Sequence, residues 1–112
     1  MKTRRWMVEI SVGGNVEMLK PLVVAFARSA GARIIEHVSM DGLAYQAYSV
    51  AYSCGTRQAV QIWLEMQQLP GGCVLISGEA NLPDGRADLP AEQQVLFEHF
   101  AKALRVRFVA CE

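Results

Sequence analysis

The sequence lacks an excess of charge of either sign, because 11 basic residues balance 11 acidic ones. A neutral chain creates no global field that would draw it to nucleic acid or to an anionic membrane. The sequence also lacks an apolar run long enough to span a membrane and shows no signal-peptide pattern at its N-terminus. These absences make nucleic-acid and membrane partners unexpected and favour a cytoplasmic location.

Cysteine is scarce as well, with Cys54, Cys73 and Cys111 as the only three. An odd number without framework spacing is typical of a reducing compartment, which again favours the cytoplasm. Cys54 lies just before a predicted helix and is interpreted as a small buried thiol. The cysteines and the two histidines show no metal-ligand spacing, so no metal or other cofactor is expected.

What the chain has in quantity is apolar residues, at 52% of its 112 positions. A chain of this length supports one hydrophobic core and is too short for a second. We therefore expect a single domain over residues 1–112.

Periodicity in the first part of the chain predicts a strand followed by a helix. Residues 6–12 alternate apolar and polar side chains, the period of a half-buried strand. Asn15 offers an N-cap for a helix that Gly31 ends, and Pro21 falls inside that helix. The next segment, residues 33–52, is rich in β-branched and aromatic residues on either side of an Asp-Gly pair, which predicts a hairpin with a two-residue turn.

The remaining residues predict a second helix over 56–69 and a fourth strand over 73–77. Residues 78–90 contain several prolines and glycines and predict a long surface loop, of the length that often carries function. A third helix over 91–104 and a short strand over 106–110 complete the pattern.

The order strand, helix, strand, strand, helix, strand falls into two similar halves. Two right-handed crossovers joined by a hairpin predict an α+β fold, the ferredoxin-like βαββαβ sandwich, with an antiparallel sheet in the order 4-1-3-2. A C-terminal helix and a short strand follow this single ferredoxin-like domain.

The two-residue turn of the hairpin sets its register and therefore which side chains share a face. It places Val38 opposite Tyr45, and Ile34 opposite Ser49, on the face without helices, while Ile35 lies under the helices. That open face then carries an apolar patch, which we predict as an interface: Ile34, Val38, Met40, Leu43 and Tyr45. Monomers rarely leave such a patch in water, so either the helix over 91–104 or a second chain covers it, and a two-fold homodimer is favoured.

Polar groups near the same face support an alternative. Glu9 and Glu36 are expected to flank the third strand, about 10 Å apart by the usual strand spacing. With Tyr45 and Ser49 they would line a pocket between two sheets, in which buried carboxylates can act as acid and base. The first alternative function is therefore a dimeric α+β-barrel enzyme or small-ligand-binding protein.

Residues 42–48 resemble the third-strand signature of the RNA-recognition motif, whose aromatic side chains stack on bases. Asp41 stands where that signature has a basic residue, and Leu43 where it has an aromatic one. The resemblance implies a weak nucleic-acid-binding activity of the open face as the second alternative.

No segment carries a specific catalytic, metal or nucleotide motif. The sequence therefore favours a non-enzymatic protein-interaction module, homodimeric through the open sheet face, that acts by binding itself or another protein.

Overall fold

The computed structural model describes residues 6–37, 44–80 and 91–110. The described residues form one antiparallel sheet of five strands and two helices. In chain order the elements are β1 (Trp6–Gly13), α1 (Val16–Ser29), β2 (Arg33–His37), β3 (Tyr45–Tyr52), β4 (Val60–Leu69), β5 (Cys73–Ala80) and α2 (Ala91–Arg107).

The strand order is β1-β5-β4-β3-β2, with every neighbouring pair antiparallel. The strands β2 to β5 follow one another as a meander, and α1 connects the two edge strands β1 and β2. This confirms the α+β class with an antiparallel sheet. The ferredoxin-like order 4-1-3-2 is not found, because the chain supplies a fifth strand where that fold has its second helix.

That fifth strand is β4, so the helix predicted over residues 56–69 is wrong. Val60, Ile62, Leu64 and Met66 alternate along it and are at most 2% exposed. The leucine, glutamine, glutamate and methionine of this segment are good helix formers. Pairing on both sides and burial of one alternating face outweigh that propensity, because strand stability depends on packing.

The core lies between one face of the sheet and the two helices. Alternate residues of all five strands point to this face, and the side chains of α1 and α2 complete a single hydrophobic cluster with them. Phe26 of α1 and Phe100 of α2 are in ring contact, with centroids 5.6 Å apart. The opposite face of the sheet, called the open face below, is covered by neither described helix.

Local signals located α1 correctly. The side chain of Asn15 accepts a hydrogen bond from the backbone N–H of Met18 at 2.9 Å, as an N-cap does. Pro21 lies inside the helix, and Gly31 follows its end with a φ of +83°, a conformation that favours glycine.

The helix predicted over 91–104 is confirmed and is longer than expected, whereas the short strand predicted over 106–110 is wrong. The helix α2 continues to Arg107, and the N–H of Phe108 still donates to the carbonyl of Leu104 at 3.0 Å. Phe108 is buried and packs edge-on against Phe26. This aromatic therefore extends the apolar helix face instead of starting a strand.

The fourth predicted strand is confirmed and is longer than expected. The strand β5 includes the predicted residues 73–77 and extends to Ala80, so the first three residues of the predicted loop 78–90 belong to the sheet. Residues 81–90 and the Asp41-Gly42 turn lie outside the described residues.

The register of the β2–β3 pair differs by one residue from the predicted one. Ile34 pairs with Val50, and Glu36 with Tyr48. A shift of one residue turns every side chain of a strand to the other face. Ile34 and Glu36 of β2 therefore lie on the helix-covered face, and Ile35 lies on the open face.

Candidate functional site: the open sheet face

Two rows of side chains cross the open face from one sheet edge to the other. Strand registers align the first row in the order His37, Ala47, Glu65, Ser77 and Glu9, from β2 to β1. The second row, in the same order, consists of Ile35, Ser49, Trp63, Glu79 and Met7. These rows place aromatic and titratable side chains from distant parts of the chain on one surface.

A hydrogen-bonded aromatic cluster occupies the middle of this face. The Nε2 atom of His37 is 2.6 Å from the hydroxyl oxygen of Ser49. The imidazole of His37 also lies against the indole of Trp63, with ring centroids 4.9 Å apart. The indole N–H of Trp63 donates in turn to a carboxylate oxygen of Glu65.

Tyr45 completes this group, which we call the His37 cluster and define as His37, Tyr45, Ser49, Trp63 and Glu65. Burial raises the pKa of the Tyr45 phenol, and Glu65 raises it further through a hydrogen bond and through its negative charge. A hydrogen bond with Trp63 acts in the opposite direction. The carboxylate of Glu65 is thus held by two aromatic donors.

Apolar side chains stand at the two edges of the face. Ile35 on β2 is 64% exposed and Met7 on β1 is 48% exposed. Between the edges, Ala47 is only 4% exposed because the longer side chains around it shield it. The face therefore combines exposed apolar edges with an aromatic centre, a composition enriched in protein interfaces.

Charge is distributed unequally between the two edges. Arg33 and His37 lie on β2, whereas Glu9 on β1 and Glu79 on β5 are acidic. Glu65 adds a further negative charge at the centre. Among the described residues of this face, Glu9 is thus the acidic group at the β1 edge and Arg33 is the cationic group at the β2 edge.

The structure separates the four residues predicted as a pocket. Tyr45 and Ser49 belong to the His37 cluster, and Glu9 lies on the same face at the far edge of its first row. Glu36 lies on the opposite face, where it borders a groove next to α1. The two carboxylates Glu9 and Glu36 therefore do not share a surface.

Of the five predicted interface residues, Tyr45 lies on the open face. Ile34 is half-buried against the core on the helix-covered face. Val38, Met40 and Leu43 lie outside the described residues.

Sequence reasoning missed several residues of this face. Trp63 and Glu65 fall within the helix predicted over residues 56–69, and Ile35 is predicted to lie under the helices. His37 and Met7 are not among the predicted site residues. The strict alternation from Val60 to Met66 was the available signal, since it requires the residues between the buried ones to point to the other face.

The groove beside Glu36 contains an unusual buried hydroxyl. Its volume is about 350 Å³, and it is lined by Lys20, Pro21, Val24, Ala25, Arg28, Glu36 and Tyr48. Tyr48 is fully buried, and its hydroxyl has no hydrogen-bond partner among the described residues. Burial, followed by the charges of Glu36 and Glu17, raises the pKa of Tyr48 to about 12.

The cysteines differ from expectation. Cys54 is an exposed free thiol and not a buried one. Cys73 is disulfide-bonded.

Within residues 6–37, 44–80 and 91–110, no group of three metal-ligating side chains is arranged to hold a metal ion. In the same part of the chain, neither helix is both long enough and apolar enough to cross a membrane. Comparisons with protein-family models, with curated proteins and with solved structures gave no match to this chain.

Proposed function

We propose that this chain is a non-enzymatic protein-interaction module that acts by binding another protein chain, a second copy or a different protein, through its open sheet face. The observation that carries the proposal is the His37 cluster, which lies on a sheet face that neither described helix covers. Aromatic residues and methionine are enriched in interfaces, and tryptophan and tyrosine are enriched among the residues that carry most binding energy. On this face Trp63 and Tyr45 lie between the exposed apolar edges formed by Ile35 and Met7.

The rigidity of the cluster supports the same role. Trp63 and Tyr45 are held by Glu65, and the indole of Trp63 also lies against the tilted imidazole of His37, so these side chains are already ordered before a partner arrives. Ordering a flexible side chain on binding costs about 0.5–1.5 kcal/mol. Anchors that are ordered in advance avoid much of that cost.

A second candidate function is favoured by the hydrogen bond between His37 and Ser49. If two sheets enclosed the His37 cluster, the pair would supply a hydroxyl and a base within a cavity, as a ligand-binding protein or barrel enzyme requires. Ser49 lies in the middle of β3, however, where the backbone pairs with β2 and β4. Acyl transfer needs free backbone donors near its nucleophile, and this position favours binding over catalysis.

Nucleic-acid binding receives less support. Tyr45, Trp63 and His37 would offer stacking surfaces, but Glu9 and Glu65 share their face and would repel phosphates. A binding constant that falls steeply with salt would restore this alternative.

Site-specific photo-crosslinking in cells tests the proposed function. A photoreactive amino acid would replace Ile35 on the open face, or Val106 on α2 as the control, because these side chains are 64% and 76% exposed. We expect covalent adducts with a polypeptide from position 35 and none from position 106. Equal adducts from both positions, or none from position 35, would contradict the proposal.

The ligand-binding alternative is tested by thermal unfolding in the presence of a broad library of small aromatic and polyketide-like compounds. A ligand at 100 times its dissociation constant adds about 2.7 kcal/mol to the free energy of unfolding. A flat response across the library would remove this alternative without affecting the proposed protein interaction.

A further inference from the structure

The two edges of the open face are complementary to each other. In the first row, His37 lies at the β2 edge and Glu9 at the β1 edge. In the second row, the same edges carry the exposed apolar residues Ile35 and Met7. A surface whose opposite edges match in this way can bind a rotated copy of itself.

On the basis of the proposed function, we propose that the occupant of the open face is a second copy of this chain, packed sheet on sheet about a two-fold axis that runs parallel to β4. Since β4 is the middle strand of the order β1-β5-β4-β3-β2, this rotation carries β1 of one copy over β2 of the other. The rotation does not change the position of a residue along the strand direction, so each row faces the same row of the second copy. His37 then meets Glu9 of the second copy, and Ile35 meets Met7 of the second copy.

The distribution of charge selects this axis over the other possible one. A two-fold axis perpendicular to the strands would place β1 over β1 of the second copy. If this axis passed through the first row, it would place Glu9 over Glu9, as well as Glu65 over Glu65, of the second copy, and like charges across an interface are unfavourable. The parallel axis instead places Glu9 over the imidazole of His37 at both ends of the interface.

The centre of the interface contains Trp63 and Glu65, which lie on β4 and approach their own equivalents near the axis. The two Trp63 rings would form the apolar centre. The two Glu65 carboxylates repel each other, although each already accepts hydrogen bonds from aromatic donors. Neutralisation of Glu65 should therefore strengthen the dimer.

The area of the face is sufficient for a dimer of modest affinity. Five strands about 4.8 Å apart, with lengths from 5 to 10 residues at about 3.3 Å per residue, give a face of roughly 600 Å². Two such faces bury roughly 1,200 Å², the lower end of the range for stable interfaces. We therefore expect a dissociation constant in the micromolar range.

A charge-swap experiment on the full chain tests this arrangement by sedimentation equilibrium. Glu9→Lys would place a lysine against His37 of the second copy, and His37→Glu would place a glutamate against Glu9 of the second copy. Each change should weaken the dimer about tenfold or more. The double variant E9K/H37E should bind more tightly than either single variant, because the two introduced charges are opposite and face each other across the parallel axis, while the contacts of His37 with Ser49 and Trp63 stay lost. Glu98→Lys, a charge reversal at an exposed site on α2, is the control and should leave the affinity unchanged.

A third variant, Glu65→Gln, should tighten association because it removes the repulsion at the axis while keeping an oxygen to accept from Trp63. Thermal unfolding of each variant checks that the monomer fold is retained. Failure of the double variant to bind more tightly than the single variants, with both single variants weakened and folded, would overturn the parallel axis.

The outcomes separate this inference from the proposed function. A wild-type chain that remains a monomer at about 100 µM, well above the expected dissociation constant, would overturn the second copy as occupant. If position 35 still crosslinks to a different polypeptide in cells, the interaction function stands without the homodimer. Absence of both dimer and crosslink would overturn both.

Discussion

The side chain of Gln68 accepts a hydrogen bond from the backbone N–H of Val16, 52 positions earlier in the chain, at 3.2 Å. Its amide nitrogen donates to the carbonyl of Cys73 at 3.0 Å. One side chain at the end of β4 therefore satisfies an N–H of the first turn of α1 and also joins the β4–β5 turn.

Replacement of Gln68 with alanine should lower the free energy of unfolding by about 1–3 kcal/mol, because it leaves the N–H of buried Val16 without a partner. Denaturant unfolding measures the change. Gln58→Ala, at an exposed position in the β3–β4 connection, is the matched control and should change stability by less than about 0.5 kcal/mol. Equal effects at the two positions would show that the bond contributes nothing.

Replacement of Tyr48 with phenylalanine should stabilise the protein by about 1 kcal/mol. The substitution keeps the buried ring and removes a hydroxyl that has no partner among the described residues, and a buried polar group without a hydrogen bond is unfavourable. Thermal and denaturant unfolding of the two proteins provide the measurement. A loss of stability would indicate that a bound water satisfies the hydroxyl.

The same hydroxyl predicts how stability changes in alkali. The pKa of Tyr48 rises from its ordinary value of 10.0 to about 12 in the folded protein. The neutral phenol is thus favoured by folding, and its contribution is fully present below pH 10 and is lost as the pH rises through about 12.

Over that interval the free energy of unfolding should fall by on the order of 2 kcal/mol more in the wild-type protein than in Tyr48→Phe. Ultraviolet titration should also show delayed ionisation of all three tyrosines, since burial raises the pKa of Tyr45 and Tyr52 as well. Parallel stability curves for the two proteins above pH 10 would contradict the raised pKa.

Replacement of Gly78 with alanine should destabilise the sheet. A Cβ at this buried position would lie 3.0 Å from a methyl carbon of Val8 on the neighbouring strand. Forcing an extra carbon into a close-packed core costs about 1–3 kcal/mol. The double variant Val8→Ala/Gly78→Ala should lose less stability than the sum of the single variants, because the first change provides room for the second. Strict additivity would show that the contact relaxes without cost.

The elements that could be predicted are those with local signals. The N-cap at Asn15 and the glycine at Gly31 bracket α1, and these signals act through bonds within a few residues. The helix beginning at Ala91 and the strand beginning at Cys73 follow Pro90 and Gly71-Gly72. Prolines and glycines at the ends of elements act locally and depend little on the rest of the chain.

The segment Val60–Leu69 shows where such reasoning fails. Its composition favours a helix, and its alternation favours a strand. The choice is made by two neighbouring strands, one of which lies earlier and one later in the chain. No local rule takes those partner strands into account, so Trp63 and Glu65 of the proposed interface are predicted in the wrong kind of element.

Local signals were enough to predict the α+β class, the positions of both helices and which residues of β3 point to the open face, because caps and a two-residue period act over short distances. The pairing of β1 with β5, the β2 register and the assembly of the His37 cluster could be read only from the folded chain. These depend on burial and hydrogen bonding between residues far apart in the chain, where a shift of one position exchanges the two faces of a strand.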